Sequence, residues 1–273
     1  MFYQKFSLSE EYPEASLTAY VCDKSPEVEP RPAIIVCPGG GYSFVSSREG
    51  EPIVRRFFSE GFNIYLLMYS VKERAKDYAP LIQASLALKL VRERADEDNT
   101  NPNKIYIMGF SAGGHLAASA GTMWNTSVVR DAVGVTDGSA PEGINRPDGM
   151  ILCYPVITAG EFAHKGSIKN VSGHTEITDE DIATFSLEKR VDSTTPPAFI
   201  WHTFTDSGVP VENSLLFMNA LAAAKIPFEA HIFPQGPHGL SLCTKDTNPN
   251  YDDPIIRHAK VWTDLAAKWI IDC

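Results

Sequence analysis

A chain of 273 residues, 44% of them hydrophobic, is long enough to bury one large core and short for two enzyme-sized domains. Its 34 acidic against 24 basic residues give a formal charge of −10, which repels nucleic acid and anionic membranes and leaves small neutral ligands open. No stretch approaches the roughly 20 apolar residues of a membrane-spanning helix, and the opening MFYQKFSLSEEYPEAS has no apolar run of the signal-peptide kind.

In chain order, Leu17–Cys22 is expected to be an antiparallel leading strand. Ala33–Cys37 (AIIVC) is a short unbroken apolar run, as for a strand covered on both faces. Helical spacing over Pro52–Glu60 puts Ile53, Phe57 and Phe58 on one face. Phe62–Tyr69 is a second strand-like run, and Tyr78–Glu97 a helix with Leu81, Ile82, Leu86, Leu90 and Val91 on one side. Lys104–Phe110 is a third strand, followed by a helix over Ala112–Met123. Met150–Tyr154, Ala198–Thr203 and Phe228–Phe233 continue the strand series. Helices over Val211–Lys225, bearing Leu215, Leu216, Met218, Ala222 and Ala223, and over Pro254–Ile271 complete it. This alternation predicts one α/β domain over residues 1–273, a mostly parallel central sheet with helices on both faces. Residues 156–195 break the rhythm without a clear strand; Thr178 reads as the N-cap of a helix over Asp179–Arg190. An insertion of that length in a compact domain reads as a lid.

Gly109-Phe110-Ser111-Ala112-Gly113 matches G-x-S-x-G and lies between a strand-like and a helix-like run, where such a motif lifts a serine hydroxyl clear of the sheet. Glycines two positions either side leave room for a sharp turn, and the free N–H groups of the following helix favour negative charge. Pro38-Gly39-Gly40-Gly41-Tyr42 follows the Ala33–Cys37 strand. A glycine run can aim N–H groups at one oxygen, so Gly40 and Gly41, with Ala112, are the candidate oxyanion donors. The loop lacks the Lys-Ser/Thr pair of a phosphate-binding loop and the G-x-G-x-x-G of a dinucleotide site.

A serine hydroxyl needs a general base. Of seven histidines, His238 lies in the turn-rich stretch Gly236–Leu240 just after the last strand. His115, His202, His231 and His258 read as structural; His164 and His174 lie in the insertion, where His164, with Tyr42 and Phe44, is a candidate substrate contact. Asp206, after the strand Ala198–Thr203, is the candidate orienting carboxylate, whereas Asp137 and Asp148 precede the insertion. The order Ser111, Asp206, His238 is that of α/β-hydrolases and not of chymotrypsin-like or subtilisin-like enzymes. The cysteines Cys22, Cys37, Cys153, Cys243 and Cys273 are odd in number and without metal-ligand spacing. Cys22, Cys37 and Cys153 read as small buried apolar residues, and the set suits a reducing cytoplasm.

On CPGGGYSFVSSREGEPIVRRF, GFSAGGHLAAS, YPVITAGEFAHKGS, TPPAFIWHTFTDSGVPVENSLLF and HIFPQGPHGLSL, the sequence resembles a bacterial family of α/β-hydrolases described as acetyl esterases or sugar-ester hydrolases, xylan esterase-like or lipase/esterase. Ser111, Asp206 and His238 fall on that family's triad and Gly40 and Gly41 on its glycine loop, with Pro38 where many members carry histidine. The resemblance implies hydrolysis of short-chain acyl esters, acetyl groups on carbohydrates among them, without metal or organic cofactor. Possible partners are then a small-molecule or oligosaccharide ester and a second copy of the chain, with neither nucleic acid nor membrane. Three alternatives remain. A prolyl-oligopeptidase-type peptidase shares the core and the order but carries a large N-terminal propeller, for which the sequence before Ala33 is short. A lipase would favour a less polar insertion than one bearing His164, Lys165 and Lys169. A non-catalytic binding protein on this fold would be expected to lack a triad member.

Overall fold

The structure, a computed structural model, describes residues 2–25 and 27–272. Its strands are β1 (Phe2–Ser7), β2 (Ser16–Val21), β3 (Arg31–Cys37), β4 (Asn63–Met68), β5 (Thr100–Phe110), β6 (Gly149–Cys153), β7 (Ala198–Thr203) and β8 (Phe228–Phe233). Its helices are α1 (Glu51–Phe58), α2 (Ala79–Glu93), α3 (Ala112–Thr122), α4 (Ser127–Ala132), α5 (Lys165–Ser172), α6 (Asp179–Phe185), α7 (Glu212–Ala223), α8 (Pro254–Ala259) and α9 (Trp262–Asp272). The strands form one sheet in the order β1-β2-β4-β3-β5-β6-β7-β8. β2 is antiparallel to both neighbours, and every pairing from β4 through β8 is parallel.

The two-residue period of a strand divides the core between the two faces. Ala33, Ile35 and Cys37 of β3 and Ile105 and Ile107 of β5 pack with α2, α3 and α7. Ile34, Val36, Tyr106 and Met108 pack on the other side with α1, α8 and α9. This is why the central strands read as unbroken apolar runs.

Some helices bury a face other than the expected one. In α2 the inward stripe is Leu81, Ala84, Ala87, Leu88 and Val91, while Ile82, Leu86 and Leu90 are half-buried. In α7 it is Asn213, Ser214, Phe217 and Leu221, whereas Leu215, Ala222 and Ala223 are exposed. Asn213 goes inward because its carboxamide oxygen accepts from Ile157 and Thr158 N–H, and its Nδ2 donates to the Phe162 and Pro210 carbonyls. Such polar anchoring is invisible to an apolar-periodicity argument. The single helix expected over Pro254–Ile271 is two, α8 and α9, because Trp262 is fixed from outside: its indole N–H donates to Ser241 O at 2.9 Å and its ring stacks on Trp201 at 5.1 Å. The edge strand β1 and the short α4 were not among the expected elements.

Residues 156–195 carry no strand but two helices. Thr178 caps α6 in a reciprocal box with Asp181, as the sequence suggests, yet the helix stops at Phe185. Ser186 Oγ accepts from Ala159 N–H and Leu187 N–H donates to Ile157 O, which pins the chain there and turns it into one short 3₁₀ turn over residues 187–189. The unexpected α5 is held by buried Ile168 and Val171 and capped by His164. Cys37, Cys153 and Cys243 are buried, Cys22 is half-buried, and Cys273 lies outside the described residues. Among the described residues, no helix is long and apolar enough to cross a membrane.

Candidate active site

Parallel strands all end at one sheet edge, so four loops meet there: Pro38–Gly41 after β3, Ser111 after β5, Asp206 after β7 and His238 after β8. Ser111 stands between strand and helix at φ 54°, ψ −118°, a conformation a side chain rarely adopts. The turn is tight enough that a Cβ on Gly113 would lie 2.1 Å from Cys37 O and 2.5 Å from Pro38 O. The Ser111 turn therefore abuts the glycine loop directly.

The structure brings Ser111, His238 and Asp206 together. Ser111 Oγ–H donates to His238 Nε2 at 2.8 Å, and His238 Nδ1–H donates to Asp206 Oδ2 at 2.7 Å. Asp206 Oδ1 accepts the N–H groups of Gly208 and Val209 at 2.8 and 2.9 Å. Burial by itself raises the Asp206 carboxyl, but hydrogen bonds from His202 and His238, the charge of His238 and the Val209 N–H outweigh it and hold the group well below the usual carboxylate range.

Gly40, at φ 125°, approaches the chain so closely that a Cβ would sit 2.0 Å from Phe44 O. Among the described residues, the N–H groups of Gly40, Gly41 and Ala112 have no hydrogen-bond acceptor. Gly40 and Gly41 border a cavity of about 380 Å³ that also exposes Ser111, His238, Phe44, His164 and Asn170. Phe44 is 60% exposed at its mouth. His164 Nδ1 accepts from Ser167 N–H while capping α5, which leaves the proton of the neutral ring on Nε2. Burial, and then the charge of His238, lowers the pKa of His164. Asn170 of α5 donates to Gly41 O at 2.8 Å, so the insertion lies against the glycine loop.

Tyr42, expected from the sequence as a substrate contact, does not line the cavity that holds Ser111 and His238. Its ring is buried beneath the loop and its O–H donates to His115 Nδ1 at 3.0 Å. Its φ of 57° reverses the chain so that the side chain enters the core. His115 in turn donates from Nε2 to Phe185 O at 3.1 Å, and burial lowers its pKa to about 4. The sign of the consequence is fixed: an unfolded histidine binds a proton below about pH 6.5, and the folded one resists until about pH 4. Stability is thus lost as pH falls through that window, by about 3 kcal/mol in all. His115→Gln removes this loss, so the stability gap between wild type and variant, measured by urea unfolding, is expected to narrow from pH 7 to pH 4. A gap independent of pH would contradict it.

His202 is a strand residue, as expected, but it also touches the site. Fully buried, it holds Nε2–H between Val209 O at 3.0 Å and Asp206 Oδ2 at 3.3 Å, with Ser214 Oγ at 2.8 Å from Nδ1. Asp206 therefore meets an imidazole on each side. The available sequence signal is the four-residue spacing from His202 to Asp206, which a turn brings face to face. His174 pairs with Asp181, His231 with Glu229, and His258 packs edge-on to Phe233. Among the described residues, no group of three or more His, Cys, Asp or Glu is placed to hold a metal ion.

Residues 20–221 of the chain match the BD-FAE family. The chain belongs to that family. The BD-FAE match takes in Gly40, Gly41, Ser111 and Asp206 and ends before His238. The chain is 41% identical over 219 residues to endo-1,4-beta-xylanase B of Butyrivibrio fibrisolvens, covering 79% of this chain and 33% of that protein. It is 33% identical over 217 residues to the acetylxylan esterase of Xylanibacter ruminicola, covering 78% of this chain and 42% of that one. This BD-FAE chain thus spans well under half the length of both curated relatives. The crystal structure of an acetyl ester-xyloside bifunctional hydrolase from Caldicellulosiruptor lactoaceticus superposes with a TM-score of 0.80 at 40% identity, over 94% of this chain and 88% of that one. The BD-FAE chain has the α/β-hydrolase fold.

Proposed function

We propose that the chain is a serine carboxylesterase that releases short acyl groups, acetyl foremost, from carbohydrate esters. The observation that carries this reading is the Ser111–His238–Asp206 relay beside the Gly40, Gly41 and Ala112 N–H groups, which have no acceptor among the described residues. As Ser111 Oγ attacks the ester carbonyl, His238 Nε2 takes its proton, and Asp206 fixes the imidazole tautomer and stabilises the imidazolium. The carbonyl oxygen becomes an oxyanion held by the N–H groups of Gly40, Gly41 and Ala112. His238 then protonates the departing alcohol, and a water repeats the cycle on the acyl-enzyme.

The carbohydrate part draws on the relatives named above and on the surroundings of the cavity. A second cavity of about 650 Å³ shares Ser43 and Asn170 with the first and is bordered by Lys72, Glu73, Lys169 and His174. A polar hollow adjoining the reacting centre suits a hydrated leaving alcohol such as a sugar better than an alkyl chain. Phe44 at the mouth offers a flat face to a sugar ring. We assign residues 156–195 the role of a lid over this region, with His164 and Asn170 as its contacts to substrate.

The test is a rate series on 4-nitrophenyl acetate, butyrate and hexanoate, alongside acetylated xylo-oligosaccharides. The expected result is rapid acetyl release, with kcat/KM falling by about tenfold or more by hexanoate, equivalent to a loss of about 1.4 kcal/mol of transition-state binding. A rate that rises with chain length would overturn the short-acyl reading in favour of a lipase. Inert acetylated oligosaccharides would remove the carbohydrate part alone.

A further inference from the structure

Glu49 stands in the wall of the catalytic cavity, yet the acyl-transfer steps above do not use it. It ends the one-turn 3₁₀ helix of residues 47–49 and is only 3% exposed. A carboxylate so buried must have each oxygen satisfied, and both are. Oε2 accepts Gly39 N–H at 2.8 Å, and Oε1 accepts Tyr154 O–H at 2.6 Å. The two donors belong to the two halves of the site. Gly39 opens the glycine loop, and its neighbours Gly40 and Gly41 carry the N–H groups without acceptors. Tyr154 follows β6, packs its ring edge-on to His238 at 5.2 Å, and accepts Ser241 N–H at 2.9 Å just past His238. The adjoining residues repeat the link: Ser46 N–H donates to Gly39 O at 2.9 Å, and Arg48 Nη1 donates to Gly239 O at 3.1 Å.

We propose that Glu49 is a positioning residue, a carboxylate bracket between Gly39 and Tyr154 that fixes the oxyanion donors relative to His238. The inference rests on the esterase reading above. The physical need is clear: the glycine loop and the His238 loop are far apart in sequence, and a misplacement of 1 Å between donors and base costs about a hundredfold in rate. A group that accepts on both sides meets it. Tyr154 Oη already receives Ser241 N–H, so its own proton must go to Glu49, while Gly39 offers a second donor to the other oxygen. An amide of the same size has one accepting oxygen and would set its NH₂ against Gly39 N–H or take the place of the tyrosine's acceptor.

The experiment uses Glu49→Gln and Tyr154→Phe in the full chain. On 4-nitrophenyl acetate, Glu49→Gln is expected to lower kcat about 10- to 100-fold with KM changed less than about twofold. Tyr154→Phe, which spares the Gly39 bond, is expected to lose less, about 3- to 10-fold, and the double variant is expected to be no worse than Glu49→Gln alone. Inhibition by phenylboronic acid supplies the readout that a merely structural role would not move. Boron takes the Ser111 Oγ lone pair and becomes a tetrahedral anion while the serine proton passes to His238, so the inhibitor needs the oxyanion donors; its Ki should rise in step with the fall in kcat. Unchanged kcat and unchanged boronate affinity would overturn the bracket, as would a rise in KM with kcat intact, which would make Glu49 a substrate contact. If Glu49→Gln fails to fold, Tyr154→Phe decides by the same two measurements. A fluorophosphonate probe separates the two levels: wild type unlabelled at Ser111 sinks the esterase reading, whereas labelled wild type with kinetically unaltered variants sinks only the bracket.

Discussion

Replacing Ser111 with alanine is expected to lower kcat on 4-nitrophenyl acetate by about six orders of magnitude, as for serine hydrolases that lose the serine or histidine of such a relay. The loss is large because no neighbouring group can stand in. Ser111 Oγ is the oxygen 2.8 Å from His238 Nε2, at the start of α3. Alanine keeps Cβ, so the strained φ of 54° is neither relieved nor worsened, and the melting temperature should hold within about 2 °C. Labelling by a fluorophosphonate probe should disappear in the same variant. Near-normal turnover by Ser111→Ala would remove this residue as nucleophile, and with it the acyl-enzyme mechanism.

Gly113→Ala is expected to be among the most damaging small substitutions for stability. The added methyl would lie 2.1 Å from Cys37 O and 2.5 Å from Pro38 O, both backbone atoms. No side chain can swing aside, so either α3 or the glycine loop must move. A cost of about 3–5 kcal/mol follows from overpacking at a backbone contact, equivalent to a fall in melting temperature of roughly 6–15 °C for a chain of this size. Because Pro38 leads into Gly40 and Gly41, the surviving folded fraction should also turn over at least about tenfold more slowly. Gly166→Ala is the contrasting case. In the first turn of α5 its nearest neighbour would be His164 Cε1 at 3.5 Å, an ordinary contact, and alanine there should raise stability by a fraction of the about 1 kcal/mol gained at a helix-interior position. Thermal scans of the two variants, read by circular dichroism, should therefore move in opposite directions. Equal shifts would mean that the junction between α3 and the glycine loop is looser than its geometry.

Much of the site was legible because its signals are local. A serine between glycines at a strand-to-helix junction, a glycine run after an apolar strand, an aspartate after β7 and a histidine after β8 each declare themselves within a few residues. Chain order then places them at one sheet edge. What stayed hidden depends on partners remote in sequence. Tyr42 lies beside the donors in the chain but turns into the core, where His115, 73 residues on, receives its hydroxyl. Glu49 is one acidic residue in SSREGEP until Tyr154, 105 residues later, meets its carboxylate. His202 reads as a strand residue until the turn after β7 brings Asp206 back onto its ring.

The sequence by itself determined the alternation of strands and helices, the parallel sheet and the chemistry available at its carboxyl edge, since apolar period and glycine placement act over one or two turns of chain. The tertiary structure alone decided which face of α7 is buried, where α6 ends and why the last helix divides. It also decided how Ser111 is surrounded: by Gly113 pressed against Cys37 and Pro38, by His202 behind Asp206, and by Glu49 between the glycine loop and Tyr154. The reason is that a buried polar group takes whichever partner the packed fold delivers, and no local pattern encodes a hydrogen bond between residues a hundred positions apart.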